Sequence, residues 1–310
     1  MKDTRFTGSL FVFLLALLPC VFSACSSAPK QPAQTSLARD AAAVQLEQAN
    51  READRGNYAL ALSLASEARR LAISVDDPAL RIRTGLSMGN SLFFLGRRDE
   101  ADEVWRAAWE EAEAGGDAEM AAISRIYRAR RDLLSLIIPA NSLSRGLMPD
   151  ETIADIRLRV QAEIGAVKTD PLSAALGWIV IGLAEKELGR YREAEDALRK
   201  ALAIHDKERY LEQAAYDWYL IASVFSVAGQ YDDALAALQE ALSFDRRAEN
   251  GYALGQDWLA IGDVYVKAGK RDQSAPAYHR AAEIFRAGGF TAEAEYAEDL
   301  YRSGHSGQGS

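Results

Sequence analysis

The chain has 310 residues, 49% of them hydrophobic, and a formal net charge of −9 at pH 7. This acidic balance argues against a general nucleic-acid-binding surface, which requires a clustered excess of Lys and Arg. The only two cysteines, Cys20 and Cys25, lie near the start of the chain. The sequence after residue 25 therefore has neither a disulfide framework nor a cysteine metal site.

The first 24 residues have the composition of a secretion signal. Lys2 and Arg5 form a basic start, and an almost wholly apolar run follows from Leu10 to Phe22. A helix that spans a bilayer needs roughly 20 apolar residues, and this run is shorter. We therefore predict a signal peptide over 1–24.

The end of this segment, Phe22-Ser23-Ala24-Cys25, resembles the lipobox of bacterial lipoproteins. The resemblance implies that Cys25 is lipidated, with palmitate among the acyl chains, and anchors the protein to a membrane. Ser26 follows the cysteine, which implies an outer-membrane location in the bacterial cell envelope, facing the periplasm. Residues 25–37 are predicted to form a flexible tether. The alternative is ordinary cleavage after Ala24, which would leave a free cysteine.

A helix-packing pattern then recurs with a period of 40 residues. Its clearest copies are Trp178-x-x-Ile181-Gly182, Trp218-x-x-Ile221-Ala222 and Trp258-x-x-Ile261-Gly262. A small residue also opens the second helix of each unit, at Ala61, Ala101, Ala154, Ala194, Ala234 and Ser274. A fixed period of this size predicts a solenoid, in which each repeat buries its apolar face against its neighbours.

These residues resemble the tetratricopeptide repeat, most fully in the last unit, which has Trp258, Ile261, Gly262, Tyr265 and Ser274. The resemblance implies an all-α fold, a right-handed superhelical solenoid over 38–302. About six helix pairs would build it, and a C-terminal capping helix over 291–302 would close it. Residues 303–310 are predicted to be a disordered tail. The resemblance also implies that the first helix of each pair lines a concave groove.

The third unit departs from the period. Its first helix is predicted over 118–137, without the expected glycine turn at its end. Ala101 and Ala154 are 53 residues apart (154 − 101 = 53), so an insert of 13 (53 − 40 = 13) is predicted at about 138–150, and Leu158 should fill the core. Long loops in compact repeats are often functional. The insert's candidate contact residues are Leu143, Leu147 and Met148, which could instead pack on the solenoid edge.

A basic cluster lies beside the insert, formed by Arg125, Arg128, Arg130 and Arg131. It could meet an acidic protein, phospholipid headgroups or the glycan of the cell wall. The alternative is a solvated helix face whose arginines pair with nearby acids.

The groove residues are predicted by steps of four along the first helices, which keep side chains on one helical face. The candidate partner contacts are Leu86, Asn90, Phe94, Leu183, Tyr219, Ser223, Leu259 and Asp263. An apolar surface with polar interruptions suits an amphipathic helix or an extended peptide. The alternative is that the leading residue of each step packs against neighbouring helices.

The sequence has no recognisable catalytic motif. Its three histidines are scattered, and it contains no His-Glu-x-x-His pattern, Gly-rich phosphate loop or Gly-x-Ser-x-Gly elbow. We therefore predict no enzyme activity, no metal and no cofactor. The predicted function is a membrane-anchored scaffold that binds proteins during assembly or regulation of an envelope complex, for instance as a pilotin-like factor in pilus or secretin assembly. The alternative is a periplasmic sensor of a small ligand or glycan.

Overall fold

A computed structural model describes residues 37–137 and 150–306, so the predicted signal peptide, tether and insert lie outside the described residues. The described chain forms thirteen α-helices and no strand. The helices are α1 (Leu37–Asp54), α2 (Tyr58–Ser74), α3 (Pro78–Phe94), α4 (Arg98–Ala114), α5 (Ala118–Ile137), α6 (Asp150–Glu163), α7 (Pro171–Glu187), α8 (Tyr191–Glu208), α9 (Leu211–Val227), α10 (Tyr231–Ala248), α11 (Gly251–Lys267), α12 (Arg271–Gly288) and α13 (Thr291–Ser306).

The helices pack as six consecutive pairs followed by α13, and each helix also packs on the next one along the chain. The odd-numbered helices contact one another from pair to pair, as α1 contacts α3 and α9 contacts α11. They therefore form the inner layer of the superhelix. The predicted all-α, right-handed solenoid is confirmed.

Local sequence signals set the helix ends. Asp77 and Asp170 cap α3 and α7, where their carboxylates accept hydrogen bonds from the backbone N–H groups of Leu80 and Ser173, at 3.0 and 3.1 Å. A proline follows each cap, at the first helical position where its missing N–H costs nothing. At the other end of α7, Gly189 turns the chain with φ +72°, a conformation that glycine adopts without strain.

Small residues let the helices of each pair approach closely. Ala61, Ala101, Ala194 and Ala234 are fully buried, as their place in the repeat predicts. Gly182 shows how tight the contact is, because a Cβ atom there would lie 2.6 Å from Cγ of Leu198. The core is thus a series of seams between helices, each built from neighbouring repeats.

The third pair differs from its predicted register. Its first helix, α5, has the predicted bounds, but in α6 the buried residues are Ile153, Ile156 and Val160. Leu158, predicted to fill the core, is 56% exposed. The predicted register of α6 is therefore wrong by one residue, and the insert is 12 residues relative to the repeat (153 − 101 − 40 = 12). The cause is that α5 and α6 pack less extensively than other pairs, so an isoleucine fits where the others need an alanine.

The last helix closes the solenoid. Ala294 and Ala297 of α13 are buried against α12, close to the fully buried Phe285. The helix continues to Ser306, beyond the predicted boundary at 302. No helix in the described ranges combines the length and apolarity that a bilayer crossing requires.

Candidate functional site

The predicted groove residues divide into two groups. Leu86, Leu183 and Leu259 are at most 8% exposed. These three side chains pack between helices, so the structure does not leave them open to a partner in the groove. The other five retain contact with solvent, namely Asn90, Phe94, Tyr219, Ser223 and Asp263.

Arg130 organises the groove at the second and third pairs. Its Nη1 donates a hydrogen bond to Oδ1 of Asn90 at 2.7 Å, and its guanidinium lies 5.9 Å from the centre of the Phe94 ring. Phe94 in turn stacks on Tyr58, with ring centres 5.0 Å apart. A cation and two aromatic rings therefore form one continuous surface across α2, α3 and α5.

Tyrosines extend this surface. Tyr216 is half exposed and stacks on Tyr219, with ring centres 6.4 Å apart. The pKa values of Tyr58, Tyr127 and Tyr216 are all raised, mainly because surrounding protein disfavours the charged phenolate. The charges of Asp54 and Arg130 act on all three rings, so these groups lie near one another on the concave side. We use the name tyrosine chamber for the concave surface formed by Tyr58, Phe94, Tyr127, Tyr216 and Tyr252.

The groove residues were predicted from helical periodicity, by taking every fourth residue along the first helices. That rule did not identify Tyr58, Tyr127, Tyr216 or Tyr252. Tyr216 lies two residues before the repeat tryptophan Trp218, and a count from that tryptophan would have found it. Tyr58 opens α2 as Tyr191 and Tyr231 open α8 and α10, and Tyr252 lies in the first turn of α11, so neither position by itself indicates a shared site. Only the packing of distant pairs brings them together.

Asp54, the last residue of α1, is the acidic group of the chamber. The residue is exposed, but the surrounding protein and the nearby Glu212 carboxylate together raise its pKa to about 7. A hydrogen bond from Nε2 of Gln213, at 2.7 Å, and the charge of Arg130 act in the opposite direction. Asp54 therefore changes its charge near neutral pH.

The first helix pair also contacts the fifth and sixth pairs. Nε of Arg55 lies 3.1 Å from Oε1 of Glu212, and Nδ2 of Asn250 donates to the backbone carbonyl of Asp54 at 3.2 Å. Gly56 faces the ring of Tyr252 so closely that a Cβ atom would lie 2.9 Å from it. These residues are 157 to 196 positions apart in the chain, so the superhelix closes across its concave side.

The structure splits the basic cluster, since α-helical residues are about 100° apart around the axis. Arg130 faces the groove, whereas Arg125 makes ion pairs of 2.8 Å with both Glu113 and Glu163. Arg128 and Arg131 lie over the ring of Trp109, at 5.5 and 5.3 Å from its centre. The four arginines therefore do not form one docking surface.

The Trp109 side of α4 and α5 has an open groove of about 870 Å³. Its lining mixes three arginines with four carboxylates, so it has no strong charge of either sign: Asp102, Glu103, Arg106, Trp109, Glu110, Glu113, Ala114, Arg128 and Arg131. The insert candidates Leu143, Leu147 and Met148 lie outside the described residues. In the part of the chain that is described, no group of three His, Cys, Asp or Glu side chains could hold a metal ion.

Comparisons with known proteins agree with this architecture. Residues 175–206, which cover most of α7 and α8, match the family model of the tetratricopeptide repeat. The chain has the fold of a tetratricopeptide-repeat protein. No curated protein sequence matches it significantly.

Three solved structures show the same fold at low sequence identity. A Rap protein complexed with competence and sporulation factor is 13% identical over 86% of this chain and 75% of its own, with a TM-score of 0.55. The STAND protein PH0952 from Pyrococcus horikoshii is 14% identical over 87% of this chain and 39% of its own, with a TM-score of 0.51. BtubC (BKLC) from P. vanneervenii is 19% identical over 80% of this chain and 92% of its own, with a TM-score of 0.50. These likenesses concern the fold alone.

Proposed function

We propose that this protein is an interaction scaffold whose tyrosine chamber holds a segment of another protein. The observation that carries the proposal is the grouping of exposed aromatic rings around Arg130 on the concave side. Tyrosine and arginine are enriched among the residues that dominate binding energy at protein interfaces. Their rings offer a large contact area with few rotatable bonds, and each phenol adds a hydrogen-bonding group.

The partner segment is an amphipathic helix or an extended peptide, since the chamber is a concave surface rather than a flat one. The Rap structure supports this class of function, because that protein of similar fold is complexed with competence and sporulation factor. The free capacity of Arg130 for further hydrogen bonds suits a carboxylate on the partner.

Membrane attachment is the second part of the proposal. Its support is the lipobox-like sequence from Phe22 to Cys25 and the basic and apolar segment before it. Lipidation at Cys25 and a tether over 25–37 would present the superhelix at the bacterial outer membrane, facing the periplasm. The scaffold would then serve assembly or regulation of an envelope complex.

A crosslinked pull-down from membranes tests the scaffold. The groove variant carries Phe94→Glu and Tyr216→Glu, which place charges on two exposed rings of the chamber. The matched control carries Leu158→Glu and Tyr296→Glu, two exposed residues on α6 and α13. We expect one stoichiometric protein with wild type and control, and its loss with the groove variant. Equal recovery with both variants would refute the chamber as the site.

A small ligand is the second candidate occupant, favoured by the closed contact of the first pair with the fifth and sixth. A small molecule that binds only the folded protein raises its melting temperature, and the increase grows as its concentration exceeds the dissociation constant. If a glycan or metabolite raised the melting temperature of wild type but not of Tyr216→Glu, the chamber would be a site for a small ligand and not for a protein segment.

A further inference from the structure

We propose that the contact between the first pair and the fifth and sixth pairs is a latch that closes the tyrosine chamber and opens to admit a partner. The latch consists of Asp54, Arg55 and Gly56 on one side and Glu212, Gln213, Asn250 and Tyr252 on the other. Its gating role rests on the proposed function of the chamber, whereas the latch itself is a property of the fold.

The latch is separate from what holds the solenoid together. Each repeat is stabilised by its sequence neighbours, and in the latch the paired residues are 157 to 196 positions apart. The latch joins the turn after α1 to the first turns of α9 and α11 through a few side chains. A contact of this size opens at a lower free energy than a packed helix seam, so it can open while the pairs stay folded.

The same residues also belong to the chamber wall. The Tyr252 ring contacts Gly56, two residues before Tyr58, and the charge of Asp54 acts on the rings of Tyr58 and Tyr216. Opening the latch therefore moves two walls of the chamber apart. Because the same residues form the latch and part of the chamber, opening the latch would change access to the chamber.

Proton binding gives the latch a pH dependence. The groups that act on Asp54 are Glu212 and Gln213 of α9, Arg130 of α5 and the adjacent Arg55, and Asn250, which caps α11, donates to its backbone carbonyl. In the closed latch the pKa of Asp54 is about 7, against an ordinary value of 3.8 when solvated. The stabilisation that the bound proton gives the closed state is full below the ordinary pKa and is lost as pH rises through about 7. The latch should open more readily at pH 8 than at pH 5.

Hydrogen exchange of the full chain tests the latch directly, through peptides that cover 50–58, 210–216 and 249–254. Gly56→Ala forces a Cβ into the Tyr252 ring, whereas Gly96 has the same backbone conformation (φ +76° against +77°) and nothing within 4 Å. Gly96→Ala thus has the same strain without the contact. We expect about tenfold faster exchange on both sides of the latch in Gly56→Ala, and unchanged exchange at 210–216 and 249–254 in Gly96→Ala.

Charge variants give a second test that does not depend on backbone strain. Arg55→Glu should speed exchange on both sides by about two- to fivefold, the effect of losing a partly exposed ion pair. Adding Glu212→Arg should restore protection. Asp54→Asn should abolish the difference in opening between pH 5 and pH 8, after correction for intrinsic exchange rates.

Some outcomes would overturn the latch. These are faster exchange confined to 50–58, equal effects of Gly56→Ala and Gly96→Ala at the α9 and α11 peptides, or no restoration by the double charge reversal. Because these experiments contain no partner, they fail or succeed independently of the scaffold. A working latch with no captured protein would refute the scaffold alone.

Discussion

His205 and Asp217 pair inside the seam between the fourth and fifth helix pairs, with Nδ1 of the imidazole 2.6 Å from Oδ2 of the carboxylate. Forty residues further on, the same two repeat positions hold Asp245 and Asp257, which are 2% and 1% exposed. In each of these two aspartates one carboxyl oxygen has no hydrogen-bond partner among the described residues. The fifth and sixth pairs thus meet across two buried carboxyl groups.

Stability should fall with rising pH at this seam. Burial raises the pKa of both Asp257 and Asp245 well above the ordinary range, and the neighbouring Asp245 carboxylate raises that of Asp257 further. Both carboxyls are protonated more readily in the folded state, so their stabilisation is present at low pH and lost as pH rises through the raised pKa values of the pair. Asp257→Asn should remove most of this loss and be about 1–3 kcal/mol more stable than wild type at pH 9.

Urea unfolding at pH 6, 7.5 and 9 checks this prediction, with the preceding seam as control. The pKa of Asp217 is raised by burial to about 6, so Asp217→Asn should leave the slope above pH 7 unchanged. Asp245→His rebuilds the acid–base pair of the preceding seam and should flatten the slope as well. Identical slopes for wild type and Asp257→Asn would contradict the account.

The effect of a glycine-to-alanine substitution on stability should depend on the space around that glycine. A Cβ at Gly182 would lie 2.6 Å from Cγ of Leu198 and 3.2 Å from the backbone oxygen of Ala194, so Gly182→Ala should cost about 1–3 kcal/mol. Gly251 begins α11 with nothing within 4 Å, and Gly251→Ala should be neutral or stabilising by up to about 1 kcal/mol. Chemical denaturation measures both, and equal effects would show that the pairs can shift apart.

The corrected register of α6 predicts that truncating Ile156 and truncating Leu158 have unequal effects on stability. Ile156 is fully buried, so Ile156→Ala should destabilise the protein by about 2–5 kcal/mol. Leu158 is exposed, so Leu158→Ala should change the free energy of unfolding by about 0.5 kcal/mol or less. Thermal unfolding of the two variants decides between the registers, and a larger loss for Leu158→Ala would restore the original one.

The proposed lipidation of Cys25 predicts the fate of Cys25→Ser. Without the thiol that accepts the lipid, the variant should accumulate as unprocessed precursor, and no mature-size lipid-anchored form should appear. Immunoblots of membrane and soluble fractions measure both. Mature-size protein with unchanged membrane association would mean that the signal is cleaved in the ordinary way and that another feature holds the chain at the membrane.

The sequence was sufficient for the fold because the packing residues repeat. Gly182, Ala194 and Ala201 recur with a period of 40, and each contact they make is local. The register of α6 was missed because Ala154 continues the alanine series by coincidence, while Ile153 takes the buried place. A small residue is a signal only where the helices approach closely, and the third pair does not.

The chamber was less predictable, for a different reason. Asn90 and Phe94 could be placed on the groove from helical periodicity within one repeat. Tyr58 and Tyr252 could not, since they come near each other only where the first and sixth pairs approach around the superhelix and Tyr252 contacts Gly56. That approach depends on the rotation from each helix pair to the next, summed over the five seams between the first and sixth pairs. No local sequence pattern encodes this sum.

Site-specific photo-crosslinking in living cells tests the central claim, that the concave chamber holds a protein partner. A photoreactive phenylalanine analogue replaces Tyr216, which is 50% exposed in the chamber, or Tyr296, which is 60% exposed on α13. The account predicts one dominant adduct from position 216, absent from position 296 and lost when Phe94→Glu is added. The same adducts from both positions, or none from position 216, would contradict it.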